Sequence, residues 1–289
     1  MSYRTETVTS ADGTAIAYRA YGDAARPGVV LIHGGMQAAQ SFDQLAAALA
    51  ARFAVYVPNR RGRGGSGPFG AGYGLDTERA DVAALLAHTG ARRVFGLSSG
   101  ALIALHSAVE LPAIERLALY EPPLTLDGAE PASWAARFER ELDRGHRAGA
   151  MAAAIQATAD MGVMRYLPQP LLRALFGVFL RAERPVPGRV TIGELVPLMR
   201  YDLVLAREAT RLNARIAELA ERGRRVLLMS GDRSMRALQV ITDGLARRLP
   251  RAERAVIRGE GHIAADDHGR PLEVARVLGD FFAAAPAPN

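Results

Sequence analysis

Short apolar runs and longer amphipathic segments alternate along most of this chain. The apolar runs begin near residues 29, 53, 94, 117, 226 and 255, and the segments with a helical pattern span residues 42–51, 76–88, 99–110 and 271–282. Residues 3–21 alternate like the two strands of a hairpin. Continuous β-branched runs are typical of strands buried on both faces, and strands that alternate with helices predict parallel pairing. The pattern therefore predicts an α/β fold with a doubly wound, mostly parallel sheet.

The middle of the chain departs from this alternation. Residues 124–205 contain no clear core strand, and their apolar spacing predicts helices over residues 134–147, 150–164 and 171–180, with proline-rich breaks at 168–170 and 185–188. We expect this segment to be a helical cap, with residues 1–123 and 206–289 forming the core and residues 207–222 returning the chain to it. The cap residues expected to line a hydrophobic pocket are Met161, Met164, Phe176, Phe179 and Met199.

Composition narrows the class of protein. The 289 residues are 49% hydrophobic, enough for a large buried core, and include no cysteine, which excludes disulfides and thiolate metal sites. The sequence shows no metal-binding cluster, so neither a metal nor another cofactor is expected. The formal charge of +6 comes from 36 basic residues that are all arginine. Because these arginines are interspersed with carboxylates, we expect solvated surfaces and no nucleic-acid partner.

The chain also lacks the patterns that direct proteins to membranes. Its first residues have no signal-peptide-like apolar core, and no apolar run is long enough to span a bilayer. We therefore expect a cytoplasmic protein without a membrane partner.

The most informative motif is Gly-Leu-Ser-Ser-Gly at residues 96–100, which fits G-x-S-x-G. An apolar strand pattern precedes it and a helix pattern follows it. A serine on such a tight strand-to-helix turn projects its hydroxyl from the sheet, and flanking glycines allow the close approach that the turn requires. Ser98 is therefore the candidate nucleophile.

A serine hydroxyl is a weak nucleophile and needs a base. His262 follows an apolar run and lies in a Gly-Glu-Gly-His loop before the last helix, so it is the candidate general base. His33 is expected to hold its loop together, and His106 to pack on the helix after Ser98.

Backbone donors for a negative oxygen are expected at two places. The helix that begins at Ser99 directs a free N–H toward the nucleophile. The strand at residues 29–32 ends in His-Gly-Gly-Met, where the N–H of Gly35 or of Met36 could serve as the second donor. The sequence does not choose between these two.

These motifs, in this order, resemble the α/β-hydrolase superfamily. Residues 59–66 resemble its D-x-R-G-x-G-x-S segment, with Asn59 in place of the aspartate, and the absence of lysine excludes a P-loop there. The resemblance covers nearly the whole chain. It implies an eight-stranded, mostly parallel sheet flanked by helices, with an inserted helical cap, and a serine-nucleophile member of the esterase or lactonase type.

The acid of the implied triad is the point where the sequence departs from the family. The usual position after the seventh strand holds Ser234, and Asp232 lies two residues before it. A second position in the family follows the sixth strand, where this chain has Glu121 followed by two prolines. We expect Glu121 to orient His262, with Asp232 as the alternative.

The resemblance and the residues together predict a function. Related dehalogenases and epoxide hydrolases use aspartate as the nucleophile, so Ser98 favours acyl transfer. We expect hydrolysis of a carboxylic ester or lactone of a hydrophobic small molecule. The alternatives are a non-esterase member of the fold, such as a C–C bond hydrolase, a lyase or a cofactor-free cyclase or oxygenase, and a non-catalytic binding protein.

Overall fold

An eight-stranded sheet forms the centre of the molecule in a computed structural model, which describes residues 2–127, 134–158 and 166–284. The strands are β1 (Arg4–Thr9), β2 (Ala15–Tyr21), β3 (Gly28–Ile32), β4 (Ala54–Pro58), β5 (Arg93–Leu97), β6 (Arg116–Tyr120), β7 (Arg225–Gly231) and β8 (Glu253–Ile257). Their order in the sheet is β1-β2-β4-β3-β5-β6-β7-β8. The first strand is antiparallel to the second, the second is antiparallel to the fourth, and all other pairs are parallel.

Helices cover both faces of the sheet, which explains the continuous apolar runs. In β3, Val30 and Ile32 face one hydrophobic core, and Val29 and Leu31 face the other. The core helices are α1 (Asp43–Leu49), α2 (Leu75–Thr89), α3 (Ser99–Glu110), α8 (Ile216–Glu221), α9 (Arg236–Arg248) and α10 (Pro271–Ala283). The first core includes side chains of α2, α3, α8 and α9, and the second includes side chains of α1 and α10. The fold class predicted from the sequence is confirmed.

The insertion between β6 and β7 is helical. It contains α4 (Ala135–Asp143), α5 (Arg147–Thr158), α6 (Gln169–Ala182) and α7 (Ile192–Glu208). None of the eight strands comes from the described part of residues 124–205. These helices pack around a hydrophobic cluster of their own, whose buried members include Phe138, Phe176 and Val196.

Helix α7 was not predicted, and it joins the insertion to the core. Thr191 caps it through a reciprocal pair of hydrogen bonds with Glu194. Pro197 lies inside the helix, where it disfavours a helical prediction because it lacks an N–H. The carbonyl of Gly193, which Pro197 leaves without its helical donor, accepts a hydrogen bond from Arg147 Nη1 at 3.4 Å. The helix ends at Glu208, past the predicted cap boundary at residue 205.

Within the described ranges, no helix combines the length and the apolar character that crossing a bilayer requires.

Candidate active site

Ser98 occupies a strained turn between β5 and α3. Its backbone has φ 56° and ψ −123°, and its N–H donates to the carbonyl of Tyr120 at 2.9 Å. The glycines on either side make the turn possible. A Cβ on Gly100 would lie 2.2 Å from the carbonyl oxygen of Ile32, and a Cβ on Gly96 would lie 2.3 Å from the carbonyl oxygen of Gly100. The surrounding backbone therefore holds Ser98 in a conformation that serine rarely adopts, which is typical of functional sites.

The structure brings Ser98, His262 and Glu121 into one line of hydrogen bonds. His262 Nε2 lies 2.9 Å from Ser98 Oγ, and His262 Nδ1 lies 2.7 Å from Glu121 Oε2. With an ionised Glu121, Nδ1 carries the proton and Nε2 accepts from the serine hydroxyl. This is the arrangement in which a histidine can remove a proton from serine.

Glu121 is fully buried and fixed at the end of β6. Its Oε1 accepts the N–H of Gly231 at 2.8 Å, and its own N–H donates to the carbonyl of Met229. The alternative acid, Asp232, is exposed and accepts the N–H of Gly259 at 2.7 Å, in the loop that leads to His262. The structure therefore places Glu121, and not Asp232, beside His262.

The expected oxyanion donors lie at the same edge of the sheet. Ser99 is the first residue of α3, so its N–H has no acceptor within the helix. Gly35 and Met36 line a cavity together with Ser98, and Met36 has a φ of 51°. The preceding Gly34 N–H donates to Gln37 Oε1 at 2.7 Å, which fixes the loop. Gly35 and Met36 are both candidates for the second donor.

His33 lies beneath this loop as a neutral side chain. Its Nδ1 donates to the carbonyl of Gly34 at 3.0 Å, and its Nε2 accepts the N–H of Arg60 at 3.4 Å. Complete burial, together with the nearby guanidinium groups of Arg63 and Arg60, holds the pKa of His33 well below its ordinary value. His106 instead pairs with Asp76 at 2.8 Å, on the flank of the helix. Both histidines lie where a supporting role was expected.

A buried group of charged side chains beside Ser99 was missed by the sequence reasoning. Arg60 Nη1 donates to Asp202 Oδ1 at 2.6 Å, and Arg63 Nη2 donates to Asp202 Oδ2 at 3.0 Å. Arg60 Nε also pairs with Glu78 at 2.9 Å. We call these four residues the ion cluster. The available signal was the position of Arg60 and Arg63 directly after a buried strand, in a glycine-rich loop at the carboxyl edge of the sheet.

Two cavities meet at Ser98 and His262. The smaller, of about 50 Å³, lies under α7 and α9 and is lined by apolar side chains that include Trp134, Leu203 and Leu238. The larger, of about 220 Å³, opens beside Met36 and is lined by apolar side chains and by the polar residues Gln37, Asp266 and His268.

The predicted pocket residues are distributed unevenly around these cavities. Met199 lines both cavities. Phe176 packs inside the hydrophobic cluster of the insertion, and Phe179 is 45% exposed. Neither is among the lining residues of the two cavities. Met161 and Met164 lie outside the described residues.

The site shows no feature of a metal centre in the part of the chain that the structure describes. There, no group of three or more histidine, aspartate or glutamate side chains is arranged to hold an ion. The side chains that meet at Ser98 offer nucleophilic and acid–base chemistry.

Comparison with known proteins bears on the family of the chain. Residues 29–277 match the model of the Alpha/beta hydrolase family. A non-heme haloperoxidase from Rhodococcus erythropolis is 38% identical over 88 residues, which is 30% of this chain and 31% of that protein's length.

Solved structures match over almost the whole chain. An alpha/beta hydrolase from Sphaerobacter thermophilus superposes with a TM-score of 0.74 and 29% identity, covering 96% of this chain and 100% of that one. The enol-lactonase from Burkholderia xenovorans superposes with a TM-score of 0.70 and 21% identity, covering 96% and 100%. With a family match over most of its length and the corresponding fold, the chain belongs to the alpha/beta hydrolase family.

Proposed function

We propose that this protein hydrolyses a carboxylic ester or lactone of a hydrophobic small molecule through an acyl-enzyme intermediate on Ser98. The observation that carries the proposal is the unbroken line of hydrogen bonds from Glu121 through His262 to Ser98, with distances of 2.7 and 2.9 Å. A serine activated in this way attacks carbonyl carbon.

Acylation begins with a proton transfer. Ser98 Oγ forms a bond to the carbonyl carbon while its proton moves to His262 Nε2. The carbonyl oxygen takes the electron pair of the broken π bond and is stabilised by the N–H of Ser99 and by that of Gly35 or Met36. When the intermediate collapses, the carbon–oxygen bond to the leaving group breaks, and that oxygen takes the proton from His262. In a lactone the leaving oxygen stays attached to the acyl group.

Deacylation repeats these steps with water. Water attacks the acyl carbon, His262 takes one proton from it, and the carboxylic acid leaves as Ser98 regains its proton. Glu121 stabilises the imidazolium form of His262 in both halves because its carboxylate is buried and aligned with Nδ1. Each proton that His262 accepts is returned within the cycle, and water is the only co-reactant that these steps consume.

The cavities support a hydrophobic substrate. Met199, Leu203 and Leu238 form an apolar wall around the smaller cavity, so the group placed there would lose contact with water. Among the polar side chains of the larger cavity, Gln37 donates to Asp266 at 2.7 Å, and His268 Nδ1 lies 2.7 Å from the same carboxylate. The site therefore favours an apolar acyl or ring group over a highly charged one.

Turnover of short-chain aryl esters, combined with titration by a fluorophosphonate, tests the proposal. The wild type should release the aryl alcohol, and one equivalent of fluorophosphonate should abolish that release. Ser98→Ala should reduce turnover by about 10⁶-fold. Stoichiometric labelling without turnover of any aryl ester or lactone would favour the non-esterase chemistries of the same fold. Absence of both labelling and turnover would favour a binding protein and contradict the proposal.

A further inference from the structure

The ion cluster of Arg60, Arg63, Glu78 and Asp202 connects the helical insertion to the reacting edge of the sheet. Asp202 comes from α7, Glu78 comes from α2, and the two arginines follow β4. All four side chains are at most 3% exposed. Asp202 nevertheless lines the small cavity together with Ser98 and Gly35. A charged group so close to the nucleophile calls for a functional explanation, because burying charge costs free energy unless pairing compensates it.

The first connection runs from Asp202 to Ser99. The hydroxyl of Ser99 donates to Asp202 Oδ1 at 2.7 Å, and Arg60 Nη1 donates to the same hydroxyl oxygen at 3.1 Å. The side chain of Ser99 is thus held by a carboxylate and a guanidinium at once. Because Ser99 also supplies a candidate oxyanion N–H, these contacts fix the first residue of α3 in place.

The second connection runs from Asp202 to the loop of Gly35 and Met36. The backbone N–H of Arg60 donates to His33, whose other ring nitrogen donates to the carbonyl of Gly34. Helix α7 also lies close to this loop. A Cβ on Gly35 would lie 2.4 Å from the sulfur of Met199 and 3.3 Å from Cγ of Asp202. The same carboxylate therefore contacts Ser99, which supplies one candidate oxyanion donor, and lies close to Gly35, which supplies another.

The charges of the cluster balance. Two guanidiniums face two carboxylates, and Asp202 accepts from both arginines. Burial opposes ionisation of Asp202, but Arg60 and Arg63 hold its pKa below the ordinary value. Asp202 is therefore ionised in the folded protein, and its hydrogen bonds are charge-assisted.

We propose that Asp202 is a positioning residue, which sets the two oxyanion N–H groups through Ser99 and Arg60 when α7 is docked on the core. The inference rests on the proposed function, because the N–H groups matter only if an oxyanion forms there. Helix α7 then completes the reacting centre in addition to covering it.

Steady-state kinetics of Asp202→Asn on an aryl ester test this role. The variant keeps the size of the side chain but loses the charge that aligns Ser99 and Arg60. We expect kcat to fall about 10- to 100-fold, because misplaced oxyanion donors stabilise the transition state less. KM should change less than about threefold, since the apolar cavity walls remain, and a purely structural role would not separate kcat from KM. The rate constant for fluorophosphonate inactivation should fall in parallel.

Asp81 supplies a matched control. Asp81 accepts the hydroxyl of Ser10 at 2.5 Å and pairs with Arg61 at 2.7 and 2.8 Å, so it repeats the Ser–Asp–Arg grouping away from Ser98. Asp81→Asn should also lower the melting temperature, but by less than Asp202→Asn, because Arg61 keeps its ion pair with Asp12 whereas Asp202→Asn removes the charge that faces both Arg60 and Arg63. Its kcat should stay within about twofold of the wild type.

Ser99→Ala keeps the test valid if Asp202→Asn does not fold. It removes the hydroxyl but leaves the ion pairs of Asp202 and the backbone N–H of residue 99 in place. We expect a kcat loss of about 10-fold, and the double variant should lose much less than the product of the two single losses because both act through one contact.

The outcomes separate the inference from the proposed function. A folded Asp202→Asn or Ser99→Ala with the kcat of the wild type would overturn the positioning role while the wild type still turns over esters. Equal kcat losses in Asp202→Asn and Asp81→Asn would also overturn it. A wild type that neither labels nor turns over esters would overturn the proposed function itself, and the inference with it.

Discussion

Glu121 is the residue whose place in the structure decides the interpretation of the site. It is fully buried, one carboxylate oxygen faces His262, and the other accepts the N–H of Gly231. Its side chain is therefore not that of a solvated loop residue. Asp232 instead accepts the N–H of Gly259, and this hydrogen bond holds the loop that precedes His262.

Exchange of each acid for its amide compares the two directly. Glu121→Gln should lower kcat by about 10⁴-fold, because the imidazole loses the partner that fixes its tautomer. Asp232→Asn should cost little, since the amide oxygen can still accept the N–H of Gly259. Aryl-ester turnover and thermal melts of both variants provide the measurement. Loss of activity in Asp232→Asn alone would mean that the acid is Asp232.

His33 makes stability depend on pH in a specific direction. Its folded-state pKa is well below the ordinary value. When the pH falls below about 6.5, this histidine therefore binds a proton in the unfolded chain but stays neutral in the folded chain. The contribution of neutral His33 to folding stability is fully present above the unfolded-state pKa and is lost as the pH falls.

His33→Gln removes that titration. Between pH 7.5 and 5.5 the wild type should therefore lose about 1.4 kcal/mol more stability than the variant, or about 3 °C in melting temperature. Melting curves of both proteins at the two pH values give the comparison. An equal pH dependence would contradict a neutral, buried His33.

At the scale of elements, the structure shows which sequence signals were sufficient. Helix α3 has the predicted bounds, Ser99–Glu110, because a glycine turn starts it and an apolar pattern continues through it. Helix α7 was missed because Pro197 interrupts the pattern, although Thr191 and Glu194 form a capping box before it. The contacts that compensate Pro197 come from Arg147, on another helix, and no local pattern contains that information.

The close approach of α3 to β3 predicts a sharp difference between two glycines. A Cβ at residue 100 would meet the carbonyl oxygens of Ile32 and His33 at 2.2 and 2.5 Å, and backbone cannot move aside cheaply. Gly100→Ala should therefore lower the free energy of unfolding by at least about 1–3 kcal/mol, as measured by thermal or urea unfolding.

Gly177 in α6 is the matched control. The atoms nearest to a Cβ there lie at 3.6 and 3.9 Å, which is ordinary contact. Gly177→Ala should raise the free energy of unfolding by up to about 1 kcal/mol, because alanine is more favourable than glycine inside a helix. Equal effects of the two substitutions would show that α3 is not packed as described.

At the scale of the whole molecule, the candidate site is assembled by contacts between distant parts of the chain. The sequence could place Ser98, Glu121 and His262 at one edge because each follows a parallel strand, and such strands end on the same side of the sheet. It could not place Asp202 beside Arg60, which lies 142 residues away in the chain. That contact depends on how α7 docks on the core. The distribution of arginines along the sequence predicted solvated surfaces and not a buried ion cluster.

The same docking explains why the insertion belongs to the site. Helix α7 brings Met199 and Asp202 to the wall around Ser98, and the chain then enters a 3₁₀ turn (Ala209–Arg215) that packs on the core. The cavities at Ser98 are therefore bounded by the core on one side and by the inserted helices on the other.

The location of the covalent adduct tests the central claim most directly, namely that Ser98 is the nucleophile. Trypsin cleavage after Arg93 and Arg116 releases residues 94–116, which carry Ser98, Ser99 and Ser107. After treatment of the wild type with a fluorophosphonate, fragmentation of this peptide by mass spectrometry should place the whole mass increase on Ser98, and His262→Ala should label far more slowly. An adduct on Ser99 or on any other residue, or undiminished labelling of Ser98→Ala, would contradict the account.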